Sequence, residues 1–285
     1  RDLPRINRRQ RQMCIRDSGG PHAAYFSTKE EYKRNLPGRI IGVSIDQNGN
    51  RALRMALQTR EQHIKRDRAT SNICTAQVLL AVMAGMYAVF HGPDGLKEIA
   101  KKIHSNACIL EENLNLLGFK TPNKSFFDTI LVKCDSKLIR GKALEKEVNF
   151  HYPNDSSVSI SINETTTTND IYEIISIFAE YKNTKLENFS NFESLNRIPK
   201  DYSRTSSFLT DEVFSKYKSE TSLMRYIKFL EKKDLALNTS MISLGSCTMK
   251  LNAAAEMLPL SWNRRLNIHP FAPKSQTSGY KFLID

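Results

Sequence analysis

Three short stretches of small and hydroxyl-bearing residues offer the most recognisable chemistry in this 285-residue sequence. They lie at residues 19–21, 70–75 and 245–250. Small residues and hydroxyls that lead into a helix present free N–H groups, which suit a phosphate or another anion. None of them matches G-x-x-x-x-G-K-[ST] or G-x-G-x-x-G, so no motif supports a nucleoside triphosphate or dinucleotide site. The alternative for each stretch is a capped helix start.

Four single side chains could act on a substrate. Cys247 lies near Lys250, and a nearby cation lowers the pKa of a thiol, which would favour a nucleophile. Lys250 could form a Schiff base if it were desolvated, and His22 and His63 could transfer protons. For each of the four, an ordinary structural role is the alternative. The sequence contains no HExxH and no G-x-S-x-G, so a zinc protease or a serine hydrolase is unsupported.

Charge and cysteine content narrow the class of protein. The chain has 42 Lys and Arg against 30 Asp and Glu, a net charge of +12. Such an excess could indicate a basic module that binds nucleic acid or an anionic surface. Five cysteines without a CxxC pair disfavour a structural zinc site and a disulfide framework, and favour a reducing compartment.

The first 18 residues stand apart from the rest. They hold six arginines and two aspartates, so they contribute +6 − 2 = +4 of the +12. They lack the apolar core of a secretory signal, and no aromatic residues interleave the arginines to stack on bases. Residues 9–18 look like translated sequencing adaptor. We therefore interpret residues 1–18 as a non-native or disordered basic segment.

Hydrophobic periodicity predicts alternating strands and helices, which is typical of an α/β fold. We expect a hairpin turn or a tight loop at 46–50 and a polar linker or interdomain crossing at 183–212. On the helix at 169–181, Ile171, Ile174, Ile175 and Phe178 share one face. The predicted strands are 39–44, 126–133 and 158–162, and the predicted helices are 52–66, 94–117, 138–148, 169–181, 221–233 and a helix-like 251–258.

The run at 73–90 is mostly apolar and ends at His91-Gly-Pro93. Eighteen residues are at the lower limit for a membrane span. Thr75, Gln77 and Gly85 interrupt the run, so we predict a buried helix in a large domain or an oligomer interface instead.

Several long stretches closely resemble the P protein family of the glycine cleavage system, glycine dehydrogenase (decarboxylating). The similarity covers residues 19–285 in colinear order. The stretches that carry it are Gly19-Gly-Pro-His-Ala-Ala-Tyr-Phe26, Pro37-Gly-Arg-Ile-Ile-Gly-Val-Ser44, residues 49–64, Ala69-Thr-Ser-Asn-Ile-Cys-Thr-Ala-Gln77, Ile162-Asn-Glu-Thr-Thr-Thr167, Tyr202-Ser-Arg-Thr-Ser206, Gly245-Ser-Cys-Thr-Met-Lys-Leu-Asn252 and His269-Pro-Phe-Ala-Pro273.

The resemblance implies an α/β, aminotransferase-like (fold type I) PLP-dependent transferase fold, incomplete at both ends. The family has two related halves, and only the second holds pyridoxal 5'-phosphate through a lysine. It implies an oxidoreductase that decarboxylates glycine and passes the aminomethyl group to the lipoyl arm of H protein. It also implies pairing with the other half of the P protein or with a homodimer partner, and no nucleic acid or membrane. The location would be cytoplasmic in a bacterium and mitochondrial in a eukaryote.

The resemblance also divides the chain and assigns site residues. Residues 19–195 would be the C-terminal part of the first half with its small α/β subdomain, residues 196–238 a linker with a helix, and residues 239–285 the opening of the second half. Thr70, Ser71 and Asn72 would form a phosphate-side loop. Ser246, Thr248 and Lys250 would line the access of glycine or the lipoyl arm, or would bridge the two halves.

The family's cofactor lysine lies in a His-Lys-Thr context, and no His-Lys-Thr occurs in these 285 residues. The chain thus resembles a fragment that spans the junction of the two halves, and Lys250 is not the Schiff-base lysine because its context differs. We therefore expect no catalytic lysine and no activity in the isolated chain. The alternative function is a non-enzymatic basic module that binds nucleic acid or an anionic surface.

Overall fold

The computed structural model describes residues 28–35, 40–57, 66–69, 78–184, 196–233 and 272–285, with positions 255, 258 and 269 as single residues. The chain divides into two compact units. The described residues between 23 and 82 form the hairpin unit, and those between 83 and 285 form the main unit. The predicted helix-like segment 251–258 falls outside the described residues except for two single positions.

The hairpin unit is built on two antiparallel strands, β1 (Ile40–Ile45) and β2 (Arg51–Leu57). Asp46 closes the turn between them, since one carboxylate oxygen accepts the backbone N–H groups of Asn48 and Asn50, both at 2.8 Å. Gly49 has a φ of +81°, which glycine adopts without steric cost. The predicted strand and tight turn are therefore confirmed.

The predicted helix at 52–66 is wrong where the structure describes it, because residues 51–57 form β2. Ala, Leu, Met and Arg in this segment are good helix formers, but local propensity is a weak preference. The Asp46 turn places the segment directly opposite β1, from the Ile45–Arg51 pair to the Ile40–Leu57 pair. Ladder pairing with β1 then satisfies the backbone in place of helical hydrogen bonds. Residues 58–65 lie outside the described part.

Helix α1 (Val78–Leu116) is two helices joined at a kink, as the sequence predicts from His91-Gly-Pro93. Gly92 has φ +63° and ψ −175°, which interrupts the helix just before Pro93. Beyond the kink, Ile103, Ala107, Leu110 and Leu114 recur at helical spacing and are all buried. The helix ends before Gly118, whose φ is +77°, and Phe119 N–H donates to Leu114 O at 3.0 Å, a typical glycine C-cap.

The apolar run predicted to be buried lies partly in the first segment of α1. Within the described residues of this run, Val89 is buried, whereas Val82 remains 48% exposed. The prediction of a buried helix is therefore met only near the kink. No helix in the described ranges is both long and apolar enough to cross a membrane.

A three-stranded antiparallel sheet forms the centre of the main unit. Its strands are β3 (Thr129–Lys133), β4 (His151–Asn154) and β5 (Ser157–Ser161), in the order β3-β5-β4. Helices α2 (Ser136–Glu145) and α3 (Thr168–Tyr181) follow β3 and β5. The predicted strand–helix–strand–helix order is confirmed. Strand β4 was not predicted, since it has only four residues and includes Pro153.

The core of the main unit lies between this sheet and helices α1, α2 and α3. The predicted apolar face of α3 is confirmed, since all four of its named residues are buried. Phe178 of α3 meets the ring of Phe119 edge-on at a centroid distance of 5.1 Å. Asp135 caps the start of α2, and Thr167 and Asp170 form a capping box at the start of α3.

Shorter elements follow the subdomain. They are a 3-10 turn at Lys200–Tyr202, α4 (Val213–Lys216), α5 (Glu220–Glu231), a second 3-10 turn at Lys274–Gln276 and α6 (Ser278–Ile284). The predicted helix at 221–233 corresponds to α5. Near the end of the chain, Asn149 and Gln276 exchange two amide hydrogen bonds of 2.8 and 3.2 Å.

Candidate functional site

The residues predicted to bind a cofactor or substrate lie outside the described part of the structure. This applies to Thr70, Ser71 and Asn72 of the phosphate-side loop, and to Ser246, Thr248 and Lys250 of the second cluster. It applies also to the glycine turn at 19–21, His22, His63 and Cys247. Their roles therefore stay predictions. The described residues hold a different polar centre, which sequence reasoning did not identify.

This centre is built around His104, a buried residue of α1. Its Nδ1 lies 2.7 Å from the carbonyl oxygen of Phe127, so Nδ1 donates to it. Nε2 then carries the lone pair and accepts the backbone N–H of Arg197 at 3.0 Å. The Cys108 sulfur lies 3.5 Å from the same nitrogen. The imidazole thus ties helix α1 to two separate stretches of backbone.

Arg197 adds a charged contact to the same face of α1. Its Nε donates to Glu111 Oε2 at 2.8 Å, and its Nη2 contacts Glu112 Oε1. Glu111 is buried, whereas the arginine keeps partial access to solvent. The hydrogen bond to Glu111 raises the pKa of Arg197, and Coulombic attraction to both glutamates adds to this effect. A buried carboxylate needs such a partner, so the two residues hold each other in place.

The two cysteines of the described region are structural. Burial raises the pKa of Cys108 to about 11, and it does the same for Cys134. Because the thiolate is the nucleophilic form, both side chains remain inert thiols at neutral pH. They behave as small apolar residues of the interior.

The described residues do not fit the anchoring site of an aldehyde cofactor. A Schiff-base lysine requires a desolvated amine, but every lysine in the described ranges is exposed or half-buried. The same residues include no group of three His, Cys, Asp or Glu side chains that could hold a metal ion.

The sequence offered only a weak signal for the His104 centre. His104, Cys108, Glu111 and Glu112 lie at spacings of four, seven and eight, which places them on one helical face. That pattern indicates a polar stripe, but it does not identify its partner. Arg197 lies 86 residues beyond Glu111, and no local pattern can reveal a contact at that separation.

The fold is similar to that of a solved enzyme of the same architecture. A crystal structure of glycine decarboxylase (P-protein) of the glycine cleavage system, in inhibitor-bound form, matches with a TM-score of 0.52 and 30% sequence identity. The match covers 58% of this chain and 40% of that chain. The expected α/β fold of the aminotransferase-like, fold type I PLP-dependent enzymes is thereby confirmed.

Sequence similarity identifies the particular family. The profile of the glycine cleavage system P-protein matches residues 9–178, more than half of the chain. Glycine dehydrogenase (decarboxylating) of Flavobacterium johnsoniae is 64% identical over 262 residues, and that of Nostoc punctiforme is 54% identical over 276 residues. The chain belongs to the glycine cleavage system P-protein family. These matches include 92–93% of this chain, but the chain spans only about 28% of the length of either relative.

These relatives favour the first of the two functions that the sequence left open, that of a glycine cleavage system enzyme. Each is a P protein of bacterial origin, and no finding supports the basic nucleic-acid-binding module.

Proposed function

We propose that this chain is a segment of a PLP-dependent glycine dehydrogenase (decarboxylating). The whole enzyme would decarboxylate glycine and transfer the aminomethyl group to the lipoyl arm of H protein. The observation that carries the proposal is the 64% identity to the Flavobacterium johnsoniae enzyme across nearly all of this chain. Since the relatives are bacterial, the enzyme would act in the cytoplasm.

The role of this segment is to position rather than to react. Bound PLP would supply a ring that accepts electrons as the carboxylate leaves. No His-Lys-Thr occurs in the sequence, and no lysine of the described ranges is buried. We therefore expect the isolated chain to be inactive. Its small α/β subdomain would belong to the first half at residues 19–195, followed by a linker at 196–238 and the opening of the second half at 239–285.

The test compares the purified chain with the full-length Flavobacterium johnsoniae enzyme as a positive control. Both would be incubated with PLP, passed through a desalting column and assayed for release of labelled carbon dioxide from glycine in the presence of H protein. The full-length enzyme should keep PLP and release carbon dioxide, and this chain should do neither. Retained PLP together with turnover by the chain would refute the positioning role.

Within the same enzyme we propose that Thr70, Ser71 and Asn72 face the cofactor phosphate of the other half or of a homodimer partner. Hydroxyl and amide groups at a helix start suit an anion. Replacing Ser71 and Asn72 by alanine in the full-length enzyme should weaken PLP binding, measured by equilibrium dialysis. Thr75→Ala, at the end of the same stretch, is the matched control. Unchanged PLP affinity in the double variant would leave only a helix cap.

We propose further that Ser246, Thr248 and Lys250 line the access of glycine or of the lipoyl arm. Charge reversal, Lys250→Glu, in the full-length enzyme should raise the KM for glycine or for H protein while PLP stays bound. Lys274→Glu, an exposed lysine of the described part, controls for the change in net charge. If both variants keep the original KM values, the cluster only bridges the two halves.

A further inference from the structure

Residues 196–218 run back along helix α1, and we call this segment the strap. As residue numbers increase along the strap, the residues of α1 that it contacts have decreasing numbers. Arg197 meets Glu111 and Glu112, Phe208 lies under Lys97, and residues 214–218 reach Gly92. The strap is therefore antiparallel to α1 and covers about 20 helical residues, or roughly 30 Å at 1.5 Å per residue. It leads directly into α5.

The near end of the strap is held by charge and by one backbone hydrogen bond. Arg197 spans the two glutamates, and its own N–H donates to His104 Nε2 at 3.0 Å. Asn196 strengthens the local turn, since its Oδ1 accepts the N–H of Ile198 at 2.8 Å. This end thus depends on the ion pairs of Arg197, of which the pair with Glu111 is largely buried.

The middle of the strap is held by an aromatic ring between two cations. Lys97 Nζ lies 5.6 Å from the centroid of the Phe208 ring, and Arg204 Cζ lies 5.1 Å from it. Such contacts each contribute little at an exposed position. The contact at Phe208 therefore stabilises the middle of the strap only weakly and does not hold the strap on α1 by itself.

The far end of the strap is held by close packing against Gly92. Lys218 Nζ donates to the carbonyl oxygen of Phe214 at 2.6 Å, and both groups lie against the bare Cα of Gly92. A Cβ at Gly92 would overlap the Lys218 amine and the Phe214 carbonyl oxygen. The φ of +63° with ψ near 180° is itself almost restricted to glycine. The kink of α1 thus forms a notch at Gly92, and the Cβ of any other residue at this position would fill it.

We propose that the strap is a conformational coupling between α1 and α5, with two ends that can be released independently. The ionic end at Arg197 sets where the strap starts on α1. The notch at Gly92 sets where α5 begins, because α5 starts two residues after Lys218. The position of α5 then depends on the kink of α1 and not on the ion pairs of Arg197.

Hydrogen–deuterium exchange of the 285-residue chain tests the proposal, with Gly92→Ala and Arg197→Gln as the two variants. Gly92→Ala should speed exchange about tenfold in residues 213–231 while residues 198–204 keep their protection. Arg197→Gln should do the reverse, because it removes the charge that pairs with Glu111 and Glu112. Gly85→Ala is the matched control on the same helix, since a Cβ there would meet no atom within 4 Å.

Two outcomes would overturn the coupling: faster exchange of the whole strap in both variants, or no change in either. Amides of β3 and β5 report whether a variant has unfolded as a whole. Should Gly92→Ala unfold the sheet, Lys218→Ala tests the far end without strain at the glycine. Loss of protection confined to residues 213–231 would support the proposal, and unchanged protection there would refute it.

Discussion

At the scale of single residues, Glu111 is the group on which the His104 centre depends most. It is a buried carboxylate whose cationic partner, Arg197, is partly exposed. Glu111→Gln would replace the carboxylate that accepts the Arg197 N–H by a neutral amide oxygen, which makes a weaker hydrogen bond. We expect a loss of about 2 kcal/mol in the free energy of unfolding, measured by urea denaturation.

Glu98→Gln serves as the matched control for this change. Glu98 pairs with Lys101 at 2.9 Å, but both side chains are more than 70% exposed. Exposed pairs of this kind contribute roughly 0–1 kcal/mol, so the control should lie close to the unmodified chain. Equal effects of the two substitutions would show that Glu111 is not a structural anchor.

His91 gives the chain a predictable response to pH. Burial lowers the pKa of this imidazole below its ordinary value of 6.5, and the Lys218 ammonium lowers it further, against a smaller opposing effect of Glu164. The unfolded chain then binds a proton at a higher pH than the folded one. The contribution of His91 to the free energy of unfolding is therefore fully present above pH 6.5. It falls as the pH drops below that value toward the pKa of His91 in the folded chain.

Urea midpoints between pH 7.5 and 5.5 would check this response. The midpoint of the unmodified chain should fall across this range, and His91→Gln should reduce the fall. His151→Gln, at an exposed histidine of β4, is the matched control for the loss of an imidazole. A slope that survives in His91→Gln would assign the effect to other groups.

At the scale of elements, α3 owes its first turn to a capping box. The Thr167 side chain accepts the N–H of Asp170, and the Asp170 carboxylate accepts the N–H of Thr167 at 2.7 Å. Thr167→Ala removes the first of these bonds and should cost about 1 kcal/mol. Thermal unfolding would measure the loss against Thr168→Ala, the exposed next residue. Equal midpoints for the two variants would contradict a role for the cap.

Elements with a clear apolar period could be predicted from the sequence, and α3 is the plainest example. Its four spaced apolar residues mark the buried face without reference to any other element. Strand β2 could not be predicted, because its residues favour a helix and only the turn at Asp46 brings it to β1. The His104 centre could not be predicted for a related reason. One part of it is a polar stripe on a helix, and the other part is Arg197, which lies far along the chain. Local patterns therefore predicted the scaffold, whereas contacts between distant segments required the structure.

At the scale of the whole molecule, the hairpin unit exposes apolar surface. Val43 and Leu53 face each other across β1 and β2 and are 62% and 71% exposed. Ile41, Ile45 and Met55 are also large apolar residues that remain exposed. Contiguous exposed apolar surface promotes association, and a two-stranded hairpin is only marginally stable by itself. The isolated chain should therefore self-associate.

Replacing Val43 and Leu53 together by threonine should reduce this association while placing a β-branched residue, which favours strands, at both positions. Light scattering over a range of protein concentrations would measure the change in average mass. Ser44→Thr with Ala52→Thr places the same residues at the adjacent cross-strand pair, whose side chains point to the opposite face. Association reduced equally by both double variants would show that the exposed face is not its cause.

The amide pair between Asn149 and Gln276 has a consequence for the order in which the molecule assembles. The core of the main unit draws on residues 107–178, so its contacts close short loops and can form early. The two amides are 127 residues apart in the chain. Their reciprocal bonds can form only after the subdomain has presented Asn149 on a finished surface, which makes them a late step of folding. A kinetic trace that follows the end of the chain should therefore lag behind one that follows the sheet.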